Sequence, residues 1–223
     1  MVVDPELIHL DDRILVMNKP SGLAVHPGWT PKSEPTALQW ARREARRWVY
    51  PVHRLDRATS GLVVFALDSE AAASLGRAFA QGRVRKRYLA LVRGVPPESG
   101  TIDNPVPRSE GAERVPACTE FRRVARSDRD RCSLVEAQPR TGRLHQIRRH
   151  LKHISHPIVG DVRYGKGDIN RHYRSAWSLH RLALHALAIE VPDPATNDVV
   201  RFEAPVPEDL AGPLRALNVL PAG

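Results

Sequence analysis

The chain has 223 residues, of which 42% are hydrophobic and 26% are charged. This composition is typical of a folded globular chain, and it excludes a disordered polymer, a collagen-like fibre and a bundle of membrane-spanning helices. The 34 lysines and arginines outnumber the 25 acids, which gives a net charge of +9. Such a surplus attracts polyanions and makes nucleic acid the leading class of partner, although an arginine-rich, solvated surface is the alternative.

Two cysteines, Cys118 and Cys132, occur outside any C-x-x-C pair. They are too few for a framework of disulfides, which favours a reduced, cytoplasmic location. Residues 1–10 carry acids and lack the basic stretch and apolar core of a secretory signal. No apolar run reaches the length of a membrane span, so we expect no membrane association.

The first half of the chain alternates short apolar runs with amphipathic stretches. A helix is predicted over residues 36–47, where apolar side chains recur at helical spacing. Residues 61–67 are continuously apolar and predict a buried strand. A second helix is expected between an N-cap at Ser69 and a terminating Gly82. The remaining strands of this half are expected at residues 6–10, 13–18 and 49–52.

The second half is expected to consist mostly of strands joined by hairpins. The proline-rich residues 95–116 predict loops and one short strand. Helices are predicted over residues 144–154 and 207–217, the latter with a kink near Gly212 and Pro213. Strands are expected at residues 86–95, 117–124, 133–137, 184–191 and 199–203. Because hairpins outnumber βαβ units, we predict an α+β fold with a mixed, mainly antiparallel sheet and flanking helices.

One loop carries the densest group of reactive side chains. Residues 53–61 read HRLDRATSG and hold a single carboxylate, Asp56, among two arginines and a histidine. A nearby cation lowers the pKa of an aspartate, and the ionised group can serve as a nucleophile or a general base. Spacing alone favours the alternative, in which Asp56 forms a structural ion pair with an arginine and Thr59 and Ser60 belong to a turn.

A basic run from Arg83 to Arg87 leads into Tyr88 at the start of a predicted strand. Tyr88 can stack on a base or use its hydroxyl as a hydrogen-bond donor or acid. A packed tyrosine beside a solvated charged face is the alternative, so this segment alone supports nucleic-acid binding only weakly.

Residues 140–151 read RTGRLHQIRRHL and predict a turn followed by a helix whose N-terminus can accept a phosphate. The apolar residues of this helix, Ile147 among them, face the core at helical spacing. Arg148 borders this stripe and can reach inward toward a carboxylate. Arg149 and Lys152 are expected to face water.

Metal and cofactor sites lack support in the sequence. His150 and His153 lie three residues apart on a predicted helix, but no carboxylate or thiolate stands beside them. The chain also lacks the glycine-rich loops that bind nucleotide phosphates and the G-x-S-x-G of serine hydrolases. We therefore expect neither a metal nor a cofactor.

Taken together, these segments resemble the RluA-type pseudouridine synthase family. The resemblance rests on five motifs in the family's order. These are the HRLD-x-x-TSG signature (residues 53–61), the first motif (18–26), the tyrosine-bearing motif (86–88), the TGR-x-HQ-[IL]-R motif (141–148) and its HPI-x-GD continuation (156–161).

The resemblance implies a cofactor-independent isomerase that converts uridine in RNA to pseudouridine by breaking the C1′–N1 bond and forming a C1′–C5 bond. Asp56 is implied as the nucleophile or base, and Tyr88 as the residue that stacks beneath the uracil and assists proton transfer. Arg148 is implied to pair with Asp56 and keep it ionised, and Ile147 to pack on the other side of the base. Arg54 is implied to fill the gap left by the flipped uridine.

Five further residues of the same motifs are candidates for binding the RNA: His53, Thr59, Arg143, His145 and Gln146. Three other segments, residues 148–151, 155–158 and 165–174, look most like the TruC branch, which implies a target at position 65 in the acceptor arm of tRNA. The alternatives are 23S ribosomal RNA as substrate, a non-catalytic RNA-binding protein and an RNA-cleaving enzyme.

The chain begins almost directly at its first predicted strand. We therefore expect one catalytic domain over residues 1–223, without a separate S4-like RNA-binding domain. A monomer is the expected form, although the sequence leaves the oligomeric state open.

Overall fold

The computed structural model describes residues 4–28, 34–109 and 111–220. The strands are β1 (Glu6–Leu10), β2 (Ile14–Lys19), β3 (Tyr50–Pro51), β4 (Ser60–Ala66), β5 (Arg85–Arg93), β6 (Ser99–Asp103), β7 (Val106–Pro107), β8 (Arg114–Val115), β9 (Cys118–Arg126), β10 (Cys132–Pro139), β11 (Leu184–Pro192) and β12 (Val199–Glu203). The helices are α1 (Ala37–Ala45), α2 (Ser69–Ala80), α3 (Gln146–His153), α4 (Gly167–Trp177) and α5 (Glu208–Ala216). The chain divides into two compact units, the first of residues 1–86 and 186–205 and the second of residues 87–185 and 206–223.

The first unit is built around strand β4, which is hydrogen-bonded to β2 on one side and β11 on the other. The pairs β1–β2, β2–β4, β3–β4 and β11–β12 are antiparallel. Every residue of β4 is buried, as its continuous apolar run predicts. Its side chains share a hydrophobic core with those of β2, α2 and β11.

Side-chain caps define where the two helices of the first unit begin. The Thr36 hydroxyl accepts the N–H of Gln39, and the Gln39 side chain accepts the Thr36 N–H, so α1 begins with a capping box. Helix α2 is capped by Asp68, which makes the predicted N-cap, Ser69, wrong by one residue. Both residue types cap helices well, so the sequence alone does not choose between them. Gly82 has a φ of +69° directly after the last turn, as a terminating glycine requires.

The second unit contains a sheet in the order β5–β10–β9–β6, and its pairs are antiparallel. Helix α3 packs on β9 and β10. The segment after α3 is hydrogen-bonded to β5, because the Arg93 N–H donates to the Pro157 carbonyl and the Val159 N–H donates to the Leu91 carbonyl. This places α3 and the loop that follows it on one rigid support.

Three predicted elements of the second unit need correction. Residues 95–116 hold three short strands, β6 to β8, rather than one, because two-residue strands leave no periodic signal. Helix α3 begins two residues later than predicted, after His145, which has a left-handed φ of +52°. Helix α4 was not predicted, because its buried residues include the polar Asn170 and Tyr173 and form no apolar stripe.

The predicted fold class is confirmed: both units combine mainly antiparallel sheet with helices. The remaining predicted strands and helices agree with the structure to within about two residues at each end, and α5 continues through Pro213. Across the described ranges, no helix is long and apolar enough to cross a membrane. The single catalytic domain over residues 1–223 stays a prediction.

Candidate active site

The loop between β3 and β4 carries Asp56 and belongs wholly to the first unit. The Thr59 N–H donates to the Asp56 carbonyl over 3.0 Å and closes a turn. Leu55 is buried and anchors this turn, Asp56 is half-buried, and Arg54 is exposed. The loop therefore presents its carboxylate from a fixed backbone at the surface of the unit.

A buried lysine from the family's first motif holds this loop in place. Lys19 has 0% of its surface exposed, and its ammonium donates to the carbonyls of Leu23 over 2.8 Å, Pro20 over 2.9 Å and Arg57 over 3.2 Å. Because Arg57 directly follows Asp56, this one cation ties the two loops together. The resemblance of this motif to the family does not reveal the role of Lys19, although a lysine at the end of the largely apolar strand ILVMNK is a signal for it.

Further hydrogen bonds join the same two loops. The Gly22 N–H donates to the Arg57 carbonyl over 2.8 Å, and the Arg57 guanidinium donates back to the Gly22 carbonyl over 2.8 Å. The Ser21 hydroxyl donates to the Ala58 carbonyl over 2.8 Å. The backbone on the C-terminal side of Asp56 is thus fastened at successive residues.

His53 supports the loop from inside the unit. Its Nε2 accepts the Val64 N–H over 2.9 Å, so the proton of the neutral ring lies on Nδ1, and the ring stacks on Phe79 with centroids 4.9 Å apart. Burial and the nearby Lys86 charge lower the pKa of His53 to about 3. At neutral pH it is therefore an uncharged hydrogen-bond acceptor, and its predicted contact with RNA stays a prediction.

Thr59 and Gly61 meet the first unit's sheet at the end of the signature. Thr59 is buried, and among the described residues its hydroxyl finds no hydrogen-bond partner. Gly61 has a φ of +111°, and a Cβ built there would lie 2.3 Å from the Ala186 carbonyl oxygen. Only glycine allows β4 to pass this close to the neighbouring strand.

In the second unit, Gln146 fixes the turn that precedes helix α3. Its amide nitrogen donates to the Cys118 carbonyl over 2.9 Å and to the Thr119 hydroxyl over 3.0 Å. Its amide oxygen accepts the Thr141 hydroxyl over 2.6 Å and the Arg143 N–H over 3.0 Å. All four hydrogen-bonding positions of the amide are therefore used to hold the TGR turn against β9, and its predicted contact with RNA stays a prediction.

Arg148 reaches inward from α3 toward a carboxylate, as the sequence predicts, and binds Asp161. The Arg148 Nε lies 2.8 Å from Asp161 Oδ2 and its Nη2 lies 2.9 Å from Oδ1, with side chains 8% and 0% exposed. Burial alone would raise the pKa of Asp161, but hydrogen bonds from Arg148 and the backbone, with the Arg148 charge, lower it. The pairing of Arg148 with Asp56 that the resemblance implies stays a prediction.

The other predicted residues of the second unit lie on β5, on the TGR turn and on α3. Tyr88 is buried on β5, opposite Ala137 of β10, and Ile147 is buried on α3 beside Arg148. The His145 Nδ1 lies 3.0 Å from the Tyr164 hydroxyl. Arg143 is exposed at the TGR turn. Residues 143 and 145–148 are thus consecutive parts of one turn and helix.

His150 of α3 has a structural role. His150 is buried, with Nδ1 2.9 Å from the Thr119 hydroxyl and Nε2 2.8 Å from the Asn104 carbonyl. Both ring nitrogens are thus occupied, and burial lowers the pKa of this residue. No group of three or more potential metal ligands is gathered anywhere in the described part of the chain.

Known proteins resemble this chain over nearly its whole length. Residues 13–153 match the family described as RNA pseudouridylate synthase. The tRNA pseudouridine synthase C of Haemophilus ducreyi is 37% identical over 218 residues, covering 89% of this chain and 90% of that protein. The protein of the same name from Vibrio parahaemolyticus is 36% identical over 224 residues, covering 92% and 91%.

A solved structure extends this similarity to the fold. Human RNA Pseudouridylate Synthase Domain Containing 1 superposes with a TM-score of 0.78 at 26% identity, covering all of this chain and 98% of that one. The resemblance to the RluA-type family is confirmed.

Proposed function

The chain belongs to the RNA pseudouridylate synthase family and is an isomerase that acts on RNA, and from this premise we propose that its substrate is tRNA. The observation that carries the proposal is the 36–37% identity to proteins named tRNA pseudouridine synthase C, over about nine tenths of both chains. The finer proposal, position 65 in the acceptor arm, rests on the resemblance of residues 148–151, 155–158 and 165–174 to the TruC branch.

We assign the central chemical step to Asp56. The reaction breaks the C1′–N1 bond, forms a C1′–C5 bond, releases the C5 hydrogen as a proton and leaves a proton on N1, so no cofactor is needed for the balance. An ionised carboxylate can hold a reaction intermediate as a nucleophile or remove a proton as a base. The turn fastened by Lys19 and Gly22 supports this role, because a fixed backbone holds the carboxylate in one orientation.

The remaining roles follow the same motifs. We propose that Tyr88 stacks beneath the uracil and assists proton transfer, that Ile147 packs against the base, and that Arg148 keeps Asp56 ionised. Arg54 is exposed at the loop, which suits a side chain that enters the RNA stack when the uridine leaves it. Arg143 is exposed at the TGR turn, where a backbone phosphate of the RNA can reach it.

Of the other candidate RNA ligands, His53 and Gln146 use their hydrogen-bonding groups to position the two loops. Thr59 lies in the loop that carries Asp56, and His145 directly precedes α3. We propose that both residues affect the substrate by shaping the site. We also propose a cytoplasmic location, since both cysteines are free thiols.

Pseudouridine mapping of total RNA from cells with and without the gene tests the substrate. We expect the loss of one pseudouridine from the acceptor arm of tRNA. Loss of a pseudouridine from ribosomal RNA instead would keep the chemistry and overturn the tRNA assignment. If no position changes, purified protein is incubated with transcribed tRNA and rRNA, and failure to form pseudouridine in either would overturn the proposed substrates.

A further inference from the structure

The ring of Tyr164 lies among four cationic side chains in the second unit. The guanidinium carbons of Arg148 and Arg149 are each 5.1 Å from its centroid, and the Lys152 ammonium and the Arg163 guanidinium are each 5.9 Å away. Arg148 already forms a buried ion pair with Asp161. We name the other three cations, together with the ring, the Tyr164 cluster.

Two charges of the cluster lack an acidic partner. Within the described ranges, neither the Arg149 side chain nor the Lys152 side chain forms a hydrogen bond or an ion pair, and the Nε of Arg149 is buried without an acceptor. Like charges gathered around one ring repel one another, and the quadrupole of a single aromatic ring offsets this only in part. The arrangement is therefore one that a bound anion would stabilise.

The ring at the centre of the cluster is held before any ligand arrives. The Tyr164 N–H donates to Asp161 Oδ1 over 3.0 Å, and the Tyr164 hydroxyl lies 3.0 Å from His145 Nδ1. The Arg163 N–H donates to the same Asp161 oxygen over 2.9 Å. A prebuilt site loses less conformational entropy on binding, so its cations are well placed to take a ligand.

We propose that the Tyr164 cluster binds one phosphodiester group of the RNA backbone, a subsite that deepens the proposed function and rests on it. Guanidinium and ammonium groups are the side chains that contact phosphate most often, and the guanidinium fork does so through two donors. Val162 in the same loop is 85% exposed and offers an apolar contact to the adjoining ribose. Phosphate contacts of this kind set the register of a nucleic acid on a protein.

The test combines a double variant with phosphate interference. RNA substrate is ethylated at random phosphates, bound to the wild type or to Arg149→Gln/Lys152→Gln, and sorted into bound and free fractions. We expect one phosphate whose ethylation weakens binding to the wild type and has no effect on the double variant. At about 0.15 M salt the double variant should bind RNA about 10-fold more weakly, and the slope of log K against log salt should fall by about 0.7 to 1.

A matched control separates this site from general charge loss. Arg77→Gln removes an exposed arginine of α2 and should leave the interference pattern unchanged. The single variant Lys152→Gln changes only an exposed side chain and should fold normally. It replaces the double variant in the test if the double variant does not fold. In both cluster variants, KM should rise while kcat at saturating RNA stays within about twofold of the wild type.

An identical interference pattern for the wild type and the cluster variants would overturn the subsite. The proposal is likewise wrong if the cluster variants bind RNA as the wild type does but no longer bind an acidic protein that the wild type binds. The failure of the proposed function is seen separately, as the absence of pseudouridine formation by the wild type on the same RNA. The subsite is judged by the interference pattern and the function by the product, so each can fail alone.

Discussion

The loop that carries Asp56 and the helix that carries Arg148 are each held by a buried cation, and the hydrogen-bond acceptors shown for the two cations differ in kind. In the first unit, the Lys19 ammonium is surrounded by the backbone carbonyls of Pro20, Leu23 and Arg57. In the second unit, the Arg148 guanidinium forms a two-point ion pair with a fully buried carboxylate.

This difference predicts how much stability each unit loses when one member of the interaction is removed. Carbonyls that lose a buried lysine become unsatisfied dipoles, and relief of the buried charge offsets part of that loss. An arginine that loses a buried carboxylate keeps its charge in a poorly solvated place with less compensation, which is the more costly state. The second unit is therefore expected to be more sensitive to a single change of charge than the first.

Asp161→Asn should give the largest loss of stability, because it leaves Arg148 buried beside an amide. We expect the free energy of unfolding to fall by about 3 to 5 kcal/mol in urea denaturation. Pseudouridine formation should fall as well, since Arg148 would lose its orientation. Asp168→Asn, an exposed acid at the start of α4, is the matched control and should change stability by less than about 1 kcal/mol.

A double variant tests the ion-pair interpretation of that loss. Asp161→Asn combined with Arg148→Met also removes the buried charge that has lost its Asp161 carboxylate, and it should recover part of the lost stability. Activity should stay low, because Arg148 is absent. A double variant less stable than Asp161→Asn would show that the charge is not the cause.

Lys19→Met should have a smaller effect, since the buried charge leaves together with its hydrogen bonds. We expect a loss of about 2 to 3 kcal/mol in the free energy of unfolding, from carbonyls that lose a donor. Reduced pseudouridine formation should accompany it, because the turn that holds Asp56 loosens. Lys166→Met, at an exposed position, should be neutral within about 0.5 kcal/mol. A Lys19→Met variant as stable as the wild type would contradict the role assigned to this lysine.

His53 gives the smallest effect and one that depends on pH. Its pKa is about 3 in the folded protein against an ordinary 6.5, so the unfolded chain takes up a proton that the folded one does not. Stability from this group is present above pH 6.5 and is lost as the pH falls toward 3, by about 2 kcal/mol at pH 5.

His53→Gln keeps a hydrogen-bond acceptor for the Val64 N–H and should show a flatter decline of stability between pH 6.5 and 5. The exposed His180→Gln should decline as the wild type does. The same slope in His53→Gln and the wild type would exclude His53 as the source of the acid sensitivity.

The sequence predicts the local parts of this structure better than its long-range contacts. Helical spacing predicts α3, the burial of Ile147 and the inward reach of Arg148, because each depends only on neighbours within two turns. It does not identify Asp161 as the partner, since the chain must first fold back from α3 along β5. Helix α4 escaped prediction because the buried Asn170 bonds to the Gly160 N–H and the Asp161 carbonyl instead of joining an apolar stripe.

The same limit applies to the first unit. The resemblance draws attention to Asp56 and to the motif that contains Lys19. Asp56 lies in a loop between two predicted strands, and Lys19 is the last residue of β2. The Lys19 ammonium donates to the carbonyls of residues 20, 23 and 57. The carbonyl of residue 57 is distant in sequence and reaches Lys19 only in the folded chain. His53 likewise has an ordinary place in the motif, and its lowered pKa follows from burial against Phe79 and Lys86.

The most direct test of the account compares the purified wild type with Asp56→Asn on transcribed tRNA, with pseudouridine measured by mass spectrometry. The wild type should convert one uridine, and the variant should be slower by at least about 10³-fold. The variant should remain folded and keep the RNA affinity of the wild type, because the side-chain shape is preserved. An Asp56→Asn variant that forms pseudouridine at the wild-type rate would contradict the assignment of the chemistry to this carboxylate.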